Sequence, residues 1–183
     1  MSDGSSYASR MRTLVLDSSL PEIEALLAQR KRTGIDRRDE VWQGVLHLAP
    51  ATSFSHAQIA QQLALMLNEP SREAGLELVM QEFNLGDSID DYRVPDGGIF
   101  RPGTEGVWIA TAVAVIEILS PDDEIWEKLP FFAARDVDEV VIVDPAKHRV
   151  DWLALCGGHY APTERSVLID FGPAELVARL EWP

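Results

Sequence analysis

Cysteine, positive charge and long apolar runs are all scarce in this sequence. Its 183 residues include one cysteine, Cys156, so no disulfide can close within the chain. A reducing, cytoplasmic compartment is the expected setting. Lys and Arg number 16 against 30 Asp and Glu, a formal net charge of −14. So acidic a chain disfavours non-specific binding to nucleic acid or anionic membrane. Any role with nucleic acid must rest on a local site or on divalent metal. No stretch approaches the roughly 18 consecutive apolar residues of a spanning helix. Also missing are a Cys/His spacing for zinc, a Gly-x-Ser-x-Gly elbow and a phosphate-cradling glycine loop. Cys156, followed by Gly157 and Gly158, reads as an ordinary strand-end residue.

What is present is a globular balance, 46% hydrophobic and 25% charged, which excludes wholesale disorder. One domain is expected over residues 19–183, behind a disordered Ser-rich tail over 1–18. Ser19 with Glu22 resembles a capping box, Pro21 suits a first helical turn and Gly34 a stop, so a helix is expected from Pro21 to about Lys31. Apolar residues flank Gly44, which predicts a hairpin. A second helix is expected from His56 to about Asn68, ended by Pro70. Strands are expected over Leu76–Leu85 and Tyr92–Phe100. Val113–Leu119, nearly all apolar and β-branched, reads as a central strand buried on both faces. Ser120-Pro121-Asp122-Asp123 opens a third helix, which Pro130 should kink or split. Strands at Glu139–Val143, Val150–Leu155 and Val167–Phe171 follow, then a short helix from Ala174. The pattern is mixed α/β, a central mixed sheet flanked by helices.

Glu117 is the most informative residue. It is the one charge in a buried strand, and an unpaired buried carboxylate is costly or changes its protonation. A metal, a cation or an exit to water at the strand end would each compensate. Asp96 lies in the extended run Val94–Phe100 just before Gly97 and Gly98. Glycines there mark a bulge or a close approach, while Pro-Asp-Gly is equally turn chemistry. Lys128 follows the Glu117 strand on the next helix and faces nine acids between Glu117 and Asp144, with Arg135 its only companion. It is either a solvated surface lysine or a cation leaning toward the strand end.

Pro95-Asp96, then Glu117, then a basic residue resembles the PD-(D/E)xK restriction-endonuclease-like nucleases. More closely, the chain resembles the small bacterial restriction-endonuclease-like proteins of the Uma-two type. The shared pattern is the Glu40 to Gly44 hairpin, Pro50 and His56 ahead of a helix, Val94-Pro95-Asp96, Glu117 through Pro121, Lys128, and Val137 through Pro145. It covers about residues 36–155. The resemblance implies a restriction-endonuclease-like fold and metal-dependent hydrolysis of nucleic acid, DNA in preference to RNA. Asp96 and Glu117 would hold Mg²⁺ or Mn²⁺, a hard ion that takes a few carboxylates and keeps its waters. Lys128 would orient the water or the scissile phosphate, and Glu40 would be a further, water-mediated ligand. In the wider superfamily the lysine lies two residues after the second acid, where this chain has Leu119. Phe132 stands where such families often carry Tyr. His56 can touch a phosphate, orient Glu40 or bond a neighbouring carboxylate.

The rival classes are a catalytically inactive module of the same fold that binds protein or nucleic acid, and a metal-dependent hydrolase of a smaller phosphate ester. The basic run Arg30, Lys31, Arg32, Arg37 and Arg38 reads as a solvated helix end or as a contact for a nucleic-acid backbone. Trp42, Trp108, Trp126, Phe131 and Trp182 suggest an apolar patch and hence a homodimer, which would also suit double-strand cutting. No contact with membrane is expected.

Overall fold

The protein is described by a computed structural model covering residues 13–120 and 124–183. The described part of the expected tail is not all tail: β1 (Leu14–Val15) pairs antiparallel with β3 (Val45–His47) and buries Val15. The hairpin forms as expected between β2 (Glu40–Trp42) and β3. Gln43 and Gly44 both have positive φ, the turn that matches strand twist.

The strands divide between two six-stranded sheets. The first sheet contains β1, β3, β2, β6 (Asp91–Arg93), β5 (Asn84–Ser88) and β8 (Trp108–Ile109), in that order. The second runs β12 (His159–Pro162), β11 (Arg149–Cys156), β10 (Glu139–Asp144), β9 (Ala114–Ile118), β7 (Gly97–Phe100) and β4 (Glu77–Val79). Its β9–β10 pair is parallel and its other pairs antiparallel. Two stretches that read as single strands each serve both sheets. Leu76–Leu85 yields β4 in the second sheet and the start of β5 in the first. Tyr92–Phe100 crosses from β6 to β7 through Val94-Pro95-Asp96.

Alternation along β9 feeds two apolar clusters. Ala114, Ile116 and Ile118 pack with Ile59, Leu63 and Leu67 of α2 (Phe54–Glu73) and Leu176 of α4 (Pro173–Arg179). Val115 faces the other way, toward Ile125 and Phe132 of α3 (Ile125–Ala133) and Leu85 of the first sheet. Each such fully buried Val, Leu, Ile or Phe side chain contributes about 1.5–3 kcal/mol relative to exposure. Glu117 shares the Val115 face by strand period, so it points toward α3.

Local chemistry departs from the sequence reading in four places. Helix α1 (Pro21–Thr33) starts at Leu20 without a side-chain cap, because Ser19 bonds Asp17 instead. Helix α2 is capped by Ser53, whose Oγ accepts the His56 N–H, and it continues through Pro70 to Glu73. Helix α3 likewise continues through Pro130, which is exposed, so water can satisfy the carbonyl it leaves unpaired. Val167–Phe171 is not a strand. Glu139 accepts the Val167 N–H, and Ser166 Oγ accepts those of Leu168 and Ile169. Those amides have partners without a ladder. No described helix is long and apolar enough to cross a membrane.

The two glycines after Asp96 mark a close approach. A Cβ on Gly97 would lie 2.6 Å from Met80 Sδ and 2.9 Å from the Val79 carbonyl oxygen, across the β4–β7 pair. A Gly97→Ala variant is therefore expected to lose about 1–3 kcal/mol by overpacking. Urea unfolding would show it as a lowered midpoint, and an unchanged midpoint would contradict the contact.

Candidate active site

The lysine on α3 joins two of the expected acids. Lys128 Nζ donates to Glu40 Oε1 at 2.9 Å and to Glu117 Oε1 at 3.1 Å, and all three side chains are buried. Lys128 is thus not a solvated surface lysine. Glu40 is held at the start of β2 by three further features of its surroundings. Its Oε1 also accepts the Val94 N–H at 2.9 Å, its Oε2 accepts Trp42 Nε1–H at 2.7 Å, and its backbone pairs with His47. The Val94 bond ties the hairpin to the segment that crosses between the sheets.

Asp96 ends that segment. One step beyond the Gly97–Ile116 pair, the β7–β9 register sets Asp96 across from Glu117. Its Oδ2 accepts the Ile118 N–H at 2.9 Å. Its Oδ1 accepts from His56 Nε2 at 3.0 Å and Arg38 Nη2 at 2.7 Å. The carboxylate that His56 bonds is Asp96 rather than Glu40. His56 Nδ1 is buried with no hydrogen-bond partner among the described residues.

Burial pushes the Asp96 carboxyl up, but the hydrogen bond and charge of His56, the Ile118 N–H and the Arg38 guanidinium outweigh it and hold the group below its ordinary value. The sign follows by linkage. A depressed folded-state value stabilises the fold above the unfolded value, about 3.9, and that contribution is lost as pH falls through the lower folded value. The stability gap between wild type and Asp96→Asn should therefore shrink below about pH 4. Urea midpoints across acid pH would test this, and a gap that widens toward acid would contradict it.

Sequence reasoning missed Arg38 as a partner of Asp96. Arg30 was also hidden in the basic run, yet it bonds Asp39 through Nε at 2.9 Å and the Ala49 carbonyl through Nη2 at 2.7 Å. Lys31, Arg32 and Arg37 are exposed. The basic run is therefore part strut and part surface. Arg93 was missed too: it is buried, donates to the Val41 carbonyl and lies over the rings of Trp42 and Phe131. Phe131 and Trp42 are thereby partly covered, and Trp182 stacks on His148. Of the five aromatics read as a patch, Trp108 and Trp126 are exposed. Phe132 is fully buried in the apolar cluster on the α3 face. The sequence signals for the missed cations were weak, because a charged residue's partner lies far away in the chain.

The candidate ligands Asp96 and Glu117, with Glu40 bonded to the same lysine as Glu117, are carboxylates, the chemistry a hard divalent ion requires. Among the described residues no group of three or more His, Cys, Asp or Glu could hold a metal ion. Magnesium needs only one or two protein carboxylates, since it retains several waters. Asp96, one residue before β7, and Glu117 on β9 are the carboxylates that could meet that requirement.

Two mixed sheets, with one acid just before β7, another on the neighbouring β9 and a lysine from the next helix, define a restriction-endonuclease-like α/β domain. The chain belongs to the Uma2 family, described as "Putative restriction endonuclease", whose family model matches residues 22–179. A similar fold occurs in a crystal structure described as a "putative nuclease belonging to DUF820 from Anabaena variabilis". The two are 16% identical, with 76% of this chain and 89% of that chain covered and a TM-score of 0.56. A cryo-EM structure of the DrdV–DNA complex also matches, at 13% identity over 68% of this chain and 12% of that one, with a TM-score of 0.37. No curated protein matches.

Proposed function

We propose that this chain is a metal-dependent nuclease that hydrolyses phosphodiester bonds of DNA. The observation that carries the reading is the convergence on Lys128 of Glu40 and Glu117, 88 and 11 residues away in sequence, with Asp96 across from Glu117. Bound Mg²⁺ or Mn²⁺ would supply a water of lowered pKa and neutralise charge on the phosphoryl oxygens. Asp96 and Glu117 would hold it. Lys128 holds Glu40 and Glu117 and would orient the attacking water or the scissile phosphate. Glu40 would be a further, water-mediated ligand. His56, bonded to Asp96 through Nε2, positions that carboxylate. With a net charge of −14, the surface repels a polyanion, which makes catalysis dependent on metal and on the local cations. The expected setting is the cytoplasm, and two copies would cut the two strands of a duplex.

The test is cleavage of labelled single- and double-stranded DNA and RNA with Mg²⁺ or Mn²⁺, using EDTA as the blank. Metal-dependent cleavage of DNA supports the reading. The inactive module would show no cleavage and no metal-dependent change in melting temperature. Preferential hydrolysis of a small phosphate ester would favour the other rival. A monomeric mass at micromolar concentration would overturn the dimer.

A further inference from the structure

Asp96 is already engaged by a cation. Arg38 Nη2 and His56 Nε2 share Oδ1, and Ile118 N–H takes Oδ2. An ionised carboxylate offers about four lone-pair sites, so three donors leave little room. A divalent ion approaching Oδ1 would meet a guanidinium of like charge bonded to the same atom.

Arg38 and Lys128 differ in how they can respond. Lys128 is buried between Glu40 and Glu117, and its side chain is 10% exposed. The Arg38 side chain is 21% exposed and holds a second carboxylate, with Nε 3.2 Å from Glu82 Oε1. Glu82 is itself 39% exposed. Arg38 Nη1 also bonds Thr52 Oγ1. Arg38 can thus give up Asp96 without burying an unpaired charge, and Lys128 cannot leave its carboxylates so cheaply. The backbone explains why Arg38 lies there. Asp39 is extended, with φ −68° and ψ 140°, so residues 38 and 40 share one side. Asp39 itself is gripped by Arg30 and by the Ala49 N–H at 2.8 Å.

We propose that Arg38 is an exchangeable counter-cation of the metal site. It holds Asp96 when no metal is bound, and it is displaced toward Glu82 and solvent when a divalent ion takes Oδ1. Arg38 and the metal then compete for one carboxylate, so the chain keeps Asp96 ordered at the expense of metal affinity. This rests on the metal-site reading of Asp96.

Titration calorimetry with Mn²⁺ on the full chain would test it, alongside thermal unfolding of each variant. Arg38→Met should bind Mn²⁺ about 10-fold more tightly than wild type, because a like charge leaves the ligand. Arg38→Lys retains the charge and should stay within about threefold of wild type. A merely structural role for Arg38 predicts the opposite sign, weaker binding once the support is lost. Should Arg38→Met fail to fold, Glu82→Gln serves instead. Glu82 is the site to which the guanidinium retreats, so its loss should weaken Mn²⁺ binding by about threefold, and unchanged or tighter binding would overturn the proposal. Wild-type binding that Asp96→Asn abolishes but a folded Arg38→Met leaves unchanged or weakens would overturn the role of Arg38 alone. Absence of Mn²⁺ binding in wild type and Arg38→Met alike would overturn both it and the metal site.

Discussion

Replacing Asp96 or Glu117 with alanine is expected to lower DNA cleavage by at least about 10³-fold at saturating Mg²⁺, since a metal supplies several kcal/mol of transition-state charge stabilisation and each 1.36 kcal/mol is tenfold in rate. The two carboxylates are not equivalent in their support. Asp96 is ordered by three hydrogen bonds before any ion arrives. Glu117 is drawn toward Lys128. Alanine at either position removes a hard oxygen donor, and at Glu117 it also leaves the buried Lys128 with one partner fewer. Glu117→Gln separates the two effects, because it keeps the size and an oxygen while removing the charge. Single-turnover cleavage of labelled duplex, with EDTA as blank and melting temperatures run in parallel, is the measurement. Wild-type rates in folded variants would place the chemistry at a different site.

Lys128→Met is expected to be the most destabilising single substitution at the site. It leaves Glu40 and Glu117 buried around an apolar chain that offers them no proton. Removing one member of a buried ion pair costs about 3–5 kcal/mol. At roughly 2–4 °C per kcal/mol for a chain of this size, the melting temperature should fall by about 6–20 °C. Adding Glu40→Gln should recover part of that loss, since one of the two stranded charges is removed. The coupling between positions 40 and 128 is then read from the double-mutant cycle. A loss below about 1 kcal/mol would mean that water reaches the pair, as in a surface salt bridge.

The parts of the fold that local chemistry dictates were legible. The hairpin follows from Gly44 between apolar residues, helix α2 from the spacing of Ile59, Leu63 and Leu67, and β9 from a run that is apolar apart from Glu117. Glu117 could be singled out because one charge in such a strand demands compensation. The misread elements are those whose partners are remote. Tyr92–Phe100 has one continuous strand pattern, yet Pro95 lies where it leaves one sheet for the other. Val167–Phe171 has strand composition, yet a carboxylate from β10 and the Ser166 hydroxyl capture its amides. A periodic pattern reports which faces are apolar and says nothing of which sheet will pair with them.

By itself the sequence determined an acidic mixed α/β domain with a carboxylate in its central strand, a second acid ahead of two glycines and a lysine one helix further on. Those features follow from residue type and near-neighbour spacing. Only the tertiary structure decided which acids share a cation. Lys128 was assigned to Glu40 and Glu117, whereas Arg38, from the basic run, went to Asp96. The reason is that a buried charge must find its counter-charge wherever the fold brings one within about 3 Å, and that distance does not depend on separation along the chain.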